Sequence, residues 1–319
     1  MSRTPQHPLP SGFTRDTPAS AVIEGIDLTG RVAVVTGGYS GIGVETTRAL
    51  ASAGATVWVP VRDRTKAAET LADVAGDVRI GDLDLSDLDS VRSFARTFLA
   101  SHDTLHLLVN NAGVMACPER RLGPGWESQL AINHFGHFVL TTELLPALRR
   151  AGGARVVALS SSAHRLSAIR WEDPHFTKEP YDKWKAYGQS KTANALFALE
   201  LDAREQGNGI RAFAVHPGGI QTPLQRHLPI EEMVAMGWCD ANGELSPMAK
   251  TMFKSVEAGA ATTVWCATSP QLEGHGGVFC EDTDIAAPAD GKPFVGVHAH
   301  AIDPEAATRL WALTEETLA

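Results

Sequence analysis

Seven short, β-branched runs alternate with longer Ala/Leu-rich segments along this chain, and the first run passes through a glycine-rich turn into the first helical segment. These two observations predict an α/β fold, a doubly wound parallel sheet of about seven strands with helices on both faces. The runs are nearly continuous in apolar residues, as strands covered on both faces must be. They are RVAVVT (31–36), TVWVPV (56–61), DVRI (77–80), LHLLV (105–109), RVVALS (155–160), IRAFAV (210–215) and GGVFC (276–280). Helices are expected over 42–54, 65–74, 86–101, 125–150, 184–206 and 255–268. A last helix is expected over about 304–317, with Asp303 as N-cap and Pro304 in its first position. Residues 1–28, rich in Pro, Ser, Thr and Gly, read as an arm packed on the domain or on a partner chain. Residues 29–319 read as one domain, in which about 222–250 falls outside the alternation and suits a lid.

Composition narrows the function classes. The 319 residues are 44% hydrophobic, enough for a large core. Twenty-eight basic against 37 acidic residues leave a net charge of -9, which disfavours nonspecific nucleic-acid binding. Cys117, Cys239, Cys266 and Cys280 are scattered without a CxxC pair, so free thiols in a reducing cytoplasm are expected. The 12 histidines form no metal-ligand pattern, and no metal is expected. The first twenty residues lack the apolar core of a signal peptide, and no run reaches membrane-span length.

The turn VVTGGYSGIG places Gly37, Gly41 and Gly43 at a G-x3-G-x-G spacing between strand and helix. Glycine admits a sharp turn and the close approach of a pyrophosphate, and the helix behind offers unpaired N–H groups. This is the context of a Rossmann-type dinucleotide site, with Tyr39, Ser40 and Ile42 in the same turn. The second strand ends VPVRDR. Arg62 there suits the 2′-phosphate of NADP, whereas a one-residue slip would present Asp63 and favour NAD. NADPH is the expected preference. Asp84 and Leu85 follow the third strand near the expected adenine edge, and Ser86 reads as the next N-cap. Asn110, Asn111, Ala112 and Gly113 end the fourth strand, where small residues leave room for a ribose.

Tyr187 and Lys191, in AYGQSKTAN, are four residues apart and so share one helix face. A free phenol has a pKa of about 10, and a neighbouring ammonium lowers it toward the range useful for proton transfer.

The motifs TGGYSGIG, NNAG, YGQSK and HPGGIQT, in this order, resemble those of the short-chain dehydrogenase/reductase family over about 29–285. VNNAGVM, NHFGHF, SSSAH and DPEAATRLW are similar to its retinol-dehydrogenase-like branch. The resemblance implies an oxidoreductase that moves hydride between NADP(H) and a carbonyl or alcohol. It implies a tetrad of Asn133, Ser161, Tyr187 and Lys191, with Tyr187 as general acid or base. Ser160, Ser161 and Ser162 are adjacent, and the family pattern favours Ser161. The chain departs from many members at Ala158, where they carry Asn. Asn133 is expected to fix a water next to Lys191, and Lys191 to reach the nicotinamide ribose. Pro217, Gly218, Ile220 and Thr222 are expected beside the nicotinamide. Family habit also implies a homodimer or tetramer, paired through the helices after the fourth and fifth strands. Leu224, Leu228, Met233, Met236 and Trp238 make an apolar lid, which points to a lipophilic small-molecule substrate. Met115, His164 and Trp171 are further candidates to line the pocket.

Overall fold

The computed structural model describes residues 3–291 and 295–319. It holds a single eight-stranded sheet of strands β1 (Val32–Val35), β2 (Thr56–Val61), β3 (Asp77–Asp82), β4 (Leu107–Asn110), β5 (Ala154–Leu159), β6 (Ile210–His216), β7 (Val278–Glu281) and β8 (Asp284–Ile285). Their order is β8-β7-β6-β5-β4-β1-β2-β3. The seven strands read from sequence are all present and parallel. The eighth, two residues long, turns back antiparallel on β7 through Cys280↔Ile285. Its brevity is what hid it, because two residues carry no periodicity.

The principal helices are α1 (Ile42–Ser52), α2 (Arg64–Leu71), α3 (Leu88–Ser101), α4 (Gly136–Arg150), α5 (Lys183–Glu205), α6 (Ile230–Ala235), α7 (Pro247–Met252), α8 (Val256–Thr268) and α9 (Pro304–Leu318). On one face of the sheet Leu50, Val264 and Trp265 pack against Val35, Val57 and Phe213. On the other, Phe94, Phe98, Phe138, Leu144 and Phe197 pack against Leu108, Val156 and Ala212. Each such large side chain contributes about 1.5–3 kcal/mol on burial.

Two elements differ from expectation. The stretch expected as helix from 125 opens instead as a hairpin, Arg121–Leu122 against Trp126–Glu127. Glu127 then caps the following turn, accepting the Gln129 and Leu130 N–H groups at 2.8 and 2.7 Å. A π-turn at Ala131–Phe135 leads into α4. The cap of α3 is Asp87 rather than Ser86, whose hydroxyl is held by Asp84 at 2.7 Å. Asp303 and Pro304 do open α9.

The N-terminal arm packs on the domain. Gln6 hydrogen-bonds both edges of the β7–β8 hairpin, at Phe279 O (2.8 Å) and Ala286 O (2.6 Å). Arg15 donates to the carbonyls of Thr251 and Met252 at the end of α7. At the other terminus, Trp311 of α9 packs on Phe138 and stacks on Phe197, covering apolar surface of α4 and α5. Those are the two helices whose pairing between subunits the family habit implied. No helix among the described residues is long and apolar enough to cross a membrane.

Four histidines are drawn into the interior, with His134, His137 and His164 buried and His216 half-buried. Desolvation lowers His134 and His216 to about 3 and His137 and His164 to about 4, from an ordinary 6.5. Because these folded values lie below the unfolded one, the unfolded chain binds more protons as pH falls. Their contribution to stability is complete above about 6.5 and is lost on descent toward 4 and 3. Each such group costs about 1.4 kcal/mol for every tenfold difference in proton affinity between the unfolded and folded chain. Glu127 and Glu281, raised by burial, act in the opposite sense but are fewer. The melting temperature is therefore expected to fall progressively below pH 6.5, measurable by scanning calorimetry; a flat profile from pH 7 to 5 would contradict it.

Candidate active site

The carboxyl ends of β1, β2, β4, β5 and β6 open into one cavity of about 940 Å³. At its phosphate end lies the loop after β1. Gly37 and Gly41 both have positive φ, +65° and +54°, which glycine adopts without strain. A Cβ on Gly37 would meet Ala112 Cα at 3.1 Å, and one on Gly41 would meet Thr222 Cβ at 3.2 Å. The loop is thus a tight backbone cradle at the start of α1, with Tyr39, Ser40 and Ile42 on the cavity wall. Gly43 stands behind it: a Cβ there would fall 2.2 Å from Gly37 O, so this glycine serves loop packing and does not line the cavity.

At the same end Arg62 lines the cavity and, among the described residues, has no side-chain partner. Asp63 does not compete with it, because its carboxylate caps α2 by accepting Lys66 N–H at 3.0 Å. Lys66, not anticipated from sequence, joins Arg62 on the wall, likewise without a side-chain partner among the described residues. An unpaired guanidinium and ammonium beside a glycine cradle fit the anionic end of a nicotinamide dinucleotide. Asp84 and Leu85 complete this end, Asp84 accepting Ser86 N–H at 2.9 Å.

In the turn after β4 the assignment shifts by one. Asn110 points into the core, donating to Thr141 Oγ1 at 2.9 Å, while Asn111, Ala112 and Gly113 line the cavity. Strand alternation sends neighbouring side chains to opposite faces. Thr36 Oγ1 holds this turn by accepting the N–H groups of Asn111 and Ala112 at 2.9 and 3.0 Å.

Ser161, Tyr187 and Lys191 meet on the opposite wall. The close approach of α5 to the loop after β5 brings them together. Gly188 permits it, since a Cβ there would lie 2.7 Å from Ala163 O. Ser161 Oγ accepts Ala163 N–H at 3.1 Å, which fixes its rotamer. Lys191 Nζ donates to Leu159 O at 2.9 Å and lies 5.5 Å from the centroid of the Tyr187 ring. Burial pushes Tyr187 up to about 12, opposed by its hydrogen bond with Ser161. Burial pulls Lys191 down to about 8. The expected lowering of the phenol by its cation is not among the causes: desolvation of the charged forms dominates both groups.

Asn133 stands apart from the cavity. Its Oδ1 accepts Val114 N–H at 2.9 Å, and its Nδ2 donates to Val114 O and Ser190 Oγ at 3.0 and 2.9 Å. The side chain thereby joins the 113–115 segment to α5, both Nδ2 hydrogens used and one Oδ1 lone pair left over. Pro217, Gly218, Ile220 and Thr222 line the cavity as the loop after β6. A two-residue ladder, Phe253↔Gly219 and Lys254↔Ile220, holds that loop.

The half of the cavity beyond Tyr187 is apolar. Met115, Ala163, Tyr187 and Leu228 form a buried cluster against which Trp184, Leu224, Met233, Met236 and Trp238 pack. Met115, Leu224, Met236 and Trp238 face the cavity, whereas Leu228 and Met233 pack behind. Trp184, three residues before Tyr187 on the same helix face, was missed in the sequence, as was Phe253. Helix α6 is tied to α5 by Glu232, which accepts Trp184 Nε1–H at 2.8 Å and pairs with Lys183. His164 and Trp171 do not line the cavity. His164 Nδ1 donates to Ser161 O at 2.7 Å and its Nε2 accepts His298 N–H at 3.1 Å. Trp171 lies under Arg309, 4.2 Å from the guanidinium carbon. The cysteines are buried and free, and no His/Cys/Asp/Glu group that could hold a metal occurs among the described residues.

A glycine cradle at the switch of a doubly wound sheet, facing a Ser–Tyr–Lys wall, defines a dinucleotide-dependent oxidoreductase. Residues 31–232 match the short chain dehydrogenase family, and the chain belongs to the short-chain dehydrogenase/reductase family, in its retinol-dehydrogenase-like branch. It is 50% identical over 301 residues to a probable oxidoreductase of Streptomyces lividans, covering 92% of this chain and 99% of that one. It is 38% identical over 303 residues to retinol dehydrogenase 12 of Homo sapiens, covering 92% and 88%. A crystal structure of an uncharacterized protein from Mycobacterium Paratuberculosis superposes with TM-score 0.71 at 35% identity, over 94% of this chain and 97% of that one. The RhlG/NADP active-site complex of Pseudomonas aeruginosa superposes with TM-score 0.59 at 28% identity, over 81% and 96%.

Proposed function

We propose that this oxidoreductase is an NADPH-dependent reductase of lipophilic carbonyl compounds, with Tyr187 as proton donor. The observation that carries this reading is the placement of Tyr187 and Ser161 on one wall of the cavity whose far end is formed by the glycine cradle and Arg62. A bound nicotinamide dinucleotide supplies the hydride. The chain does the rest. The buried phenol is protonated at neutral pH and so stands ready to donate to a carbonyl oxygen. Ser161 offers a second hydrogen bond to that oxygen as negative charge develops on it. Lys191 uses one of its three N–H donors on Leu159 O, which leaves two for a ribose or for the proton supply to Tyr187. The apolar cluster around Tyr187 excludes water and favours a lipophilic substrate.

Arg62 and Lys66 support NADP over NAD, and the engagement of Asp63 as a helix cap removes the acidic residue that would favour a free ribose. A screen of aldehydes and ketones with NADPH and with NADH, followed at the nicotinamide absorbance, tests the reading. NADPH oxidation with apolar aldehydes is expected. Dinucleotide binding without turnover of any carbonyl would instead indicate a noncatalytic sensor.

A further inference from the structure

Two guanidinium groups line the substrate half of the cavity: Arg165, on the loop after Ser161, and Arg226, on the turn after Thr222. Neither forms an ion pair among the described residues. Arg165 donates from Nη2 to Gly296 O at 2.8 Å, while its Nε is buried and has no acceptor among the described residues. Arg226 donates from Nη1 only to Pro223 O within its own turn, at 3.1 Å. It lies near Met115–Cys117, where its charge acts on the Cys117 thiol more strongly than any other.

The acid nearest Arg165 does not neutralise it in a direct pair. Glu281 accepts Gly296 N–H at 2.6 Å and burial raises its pKa, though it and Arg165 still act on each other through space. The other groups around Arg165, His164 and His298, carry no negative charge. In a chain with net charge -9, two cations lining one cavity without a direct carboxylate pair mark a place for an anion from outside. The dinucleotide's phosphates are served at the other end by the glycine cradle, Arg62 and Lys66.

We propose that the substrate is an amphiphilic oxo acid. Its carbonyl meets Tyr187, its hydrocarbon segment lies against Trp184, Met236 and Trp238, and its carboxylate is held by Arg165 with Arg226 at the rim. This rests on the carbonyl-reductase reading above and adds the charge and polarity of the substrate's far end. A carboxylate pairs with a guanidinium in planar geometry, here through the Nη N–H groups, since Nε is closed off from the cavity.

The test compares nonanal with the ω-oxo carboxylic acid of the same chain length, using NADPH and the full-length protein. The acid is expected to have a kcat/KM higher by about tenfold or more. That ratio should collapse toward unity in Arg165→Gln, be partly kept in Arg165→Lys and fall in Arg226→Gln, through KM more than kcat. It should also shrink as salt rises. Equal or poorer use of the acid, or an undiminished ratio in both glutamine variants, overturns the proposal while leaving carbonyl reduction standing. If neither compound is reduced, the catalytic reading fails separately. Binding of nonanoate against nonanamide, read by quenching of Trp184 and Trp238, then decides: tighter carboxylate binding that Arg165→Gln abolishes supports the site, and equal binding overturns it.

Discussion

Replacing Tyr187 by phenylalanine is expected to lower kcat by about 10²–10⁴-fold, the range that a positioned general acid contributes. The phenol is buried at the meeting of α5 and the loop after β5, with Ser161 as its hydrogen-bond partner and the Lys191 ammonium 5.5 Å from its ring. Phenylalanine keeps the ring, and with it the contact to Trp184, whose centroid is 6.4 Å away. Packing and dinucleotide affinity should therefore change little. Steady-state rates together with a fluorescence titration of NADPH separate the two quantities. A variant that keeps more than a tenth of wild-type turnover would remove Tyr187 from the chemistry.

The second large effect concerns the dinucleotide. Arg62→Ala is expected to raise KM for NADPH by about 10- to 100-fold, the worth of one charge-assisted hydrogen-bonding partner, while KM for NADH stays within about twofold. Lys66→Ala should act in the same direction more weakly, as a flexible point charge. Asp63→Ala is the internal contrast. It removes the cap of α2, which costs about 0.5–2 kcal/mol of stability, and should leave the preference unchanged. Wild-type protein that used NADH as well as NADPH would overturn the assignment of Arg62.

Features governed by near neighbours were legible in the sequence. Continuous apolar runs announced buried parallel strands, and the seven strand positions hold within a few residues. The β1–α1 turn was equally clear, because glycine at 37 and 41 answers a backbone requirement local to the loop. Lys66 could have been read from its spacing to Arg62, and Trp184 from standing three residues before Tyr187 on one helix face. Arg165 and Arg226 carried no such signal, because each looks like an ordinary surface cation until the chain returns to the same chamber. The same holds for Asn110 and Asn111, where a strand's alternation decides which one faces the cavity and neither composition nor motif does.

The amino-acid sequence on its own determined the order of elements, the phosphate loop and the shared helix face of Tyr187 and Lys191, because periodicity and backbone freedom act over a few residues. Only the tertiary structure decided the acidity of those groups. Desolvation sums over every neighbour from distant parts of the chain, and here it is the largest cause for both groups, holding Tyr187 near 12 and Lys191 near 8. Tertiary structure likewise joined the Asn133 side chain to Val114 and Ser190, tied the arm to the end of α7 through Arg15, and left two guanidinium groups lining the cavity.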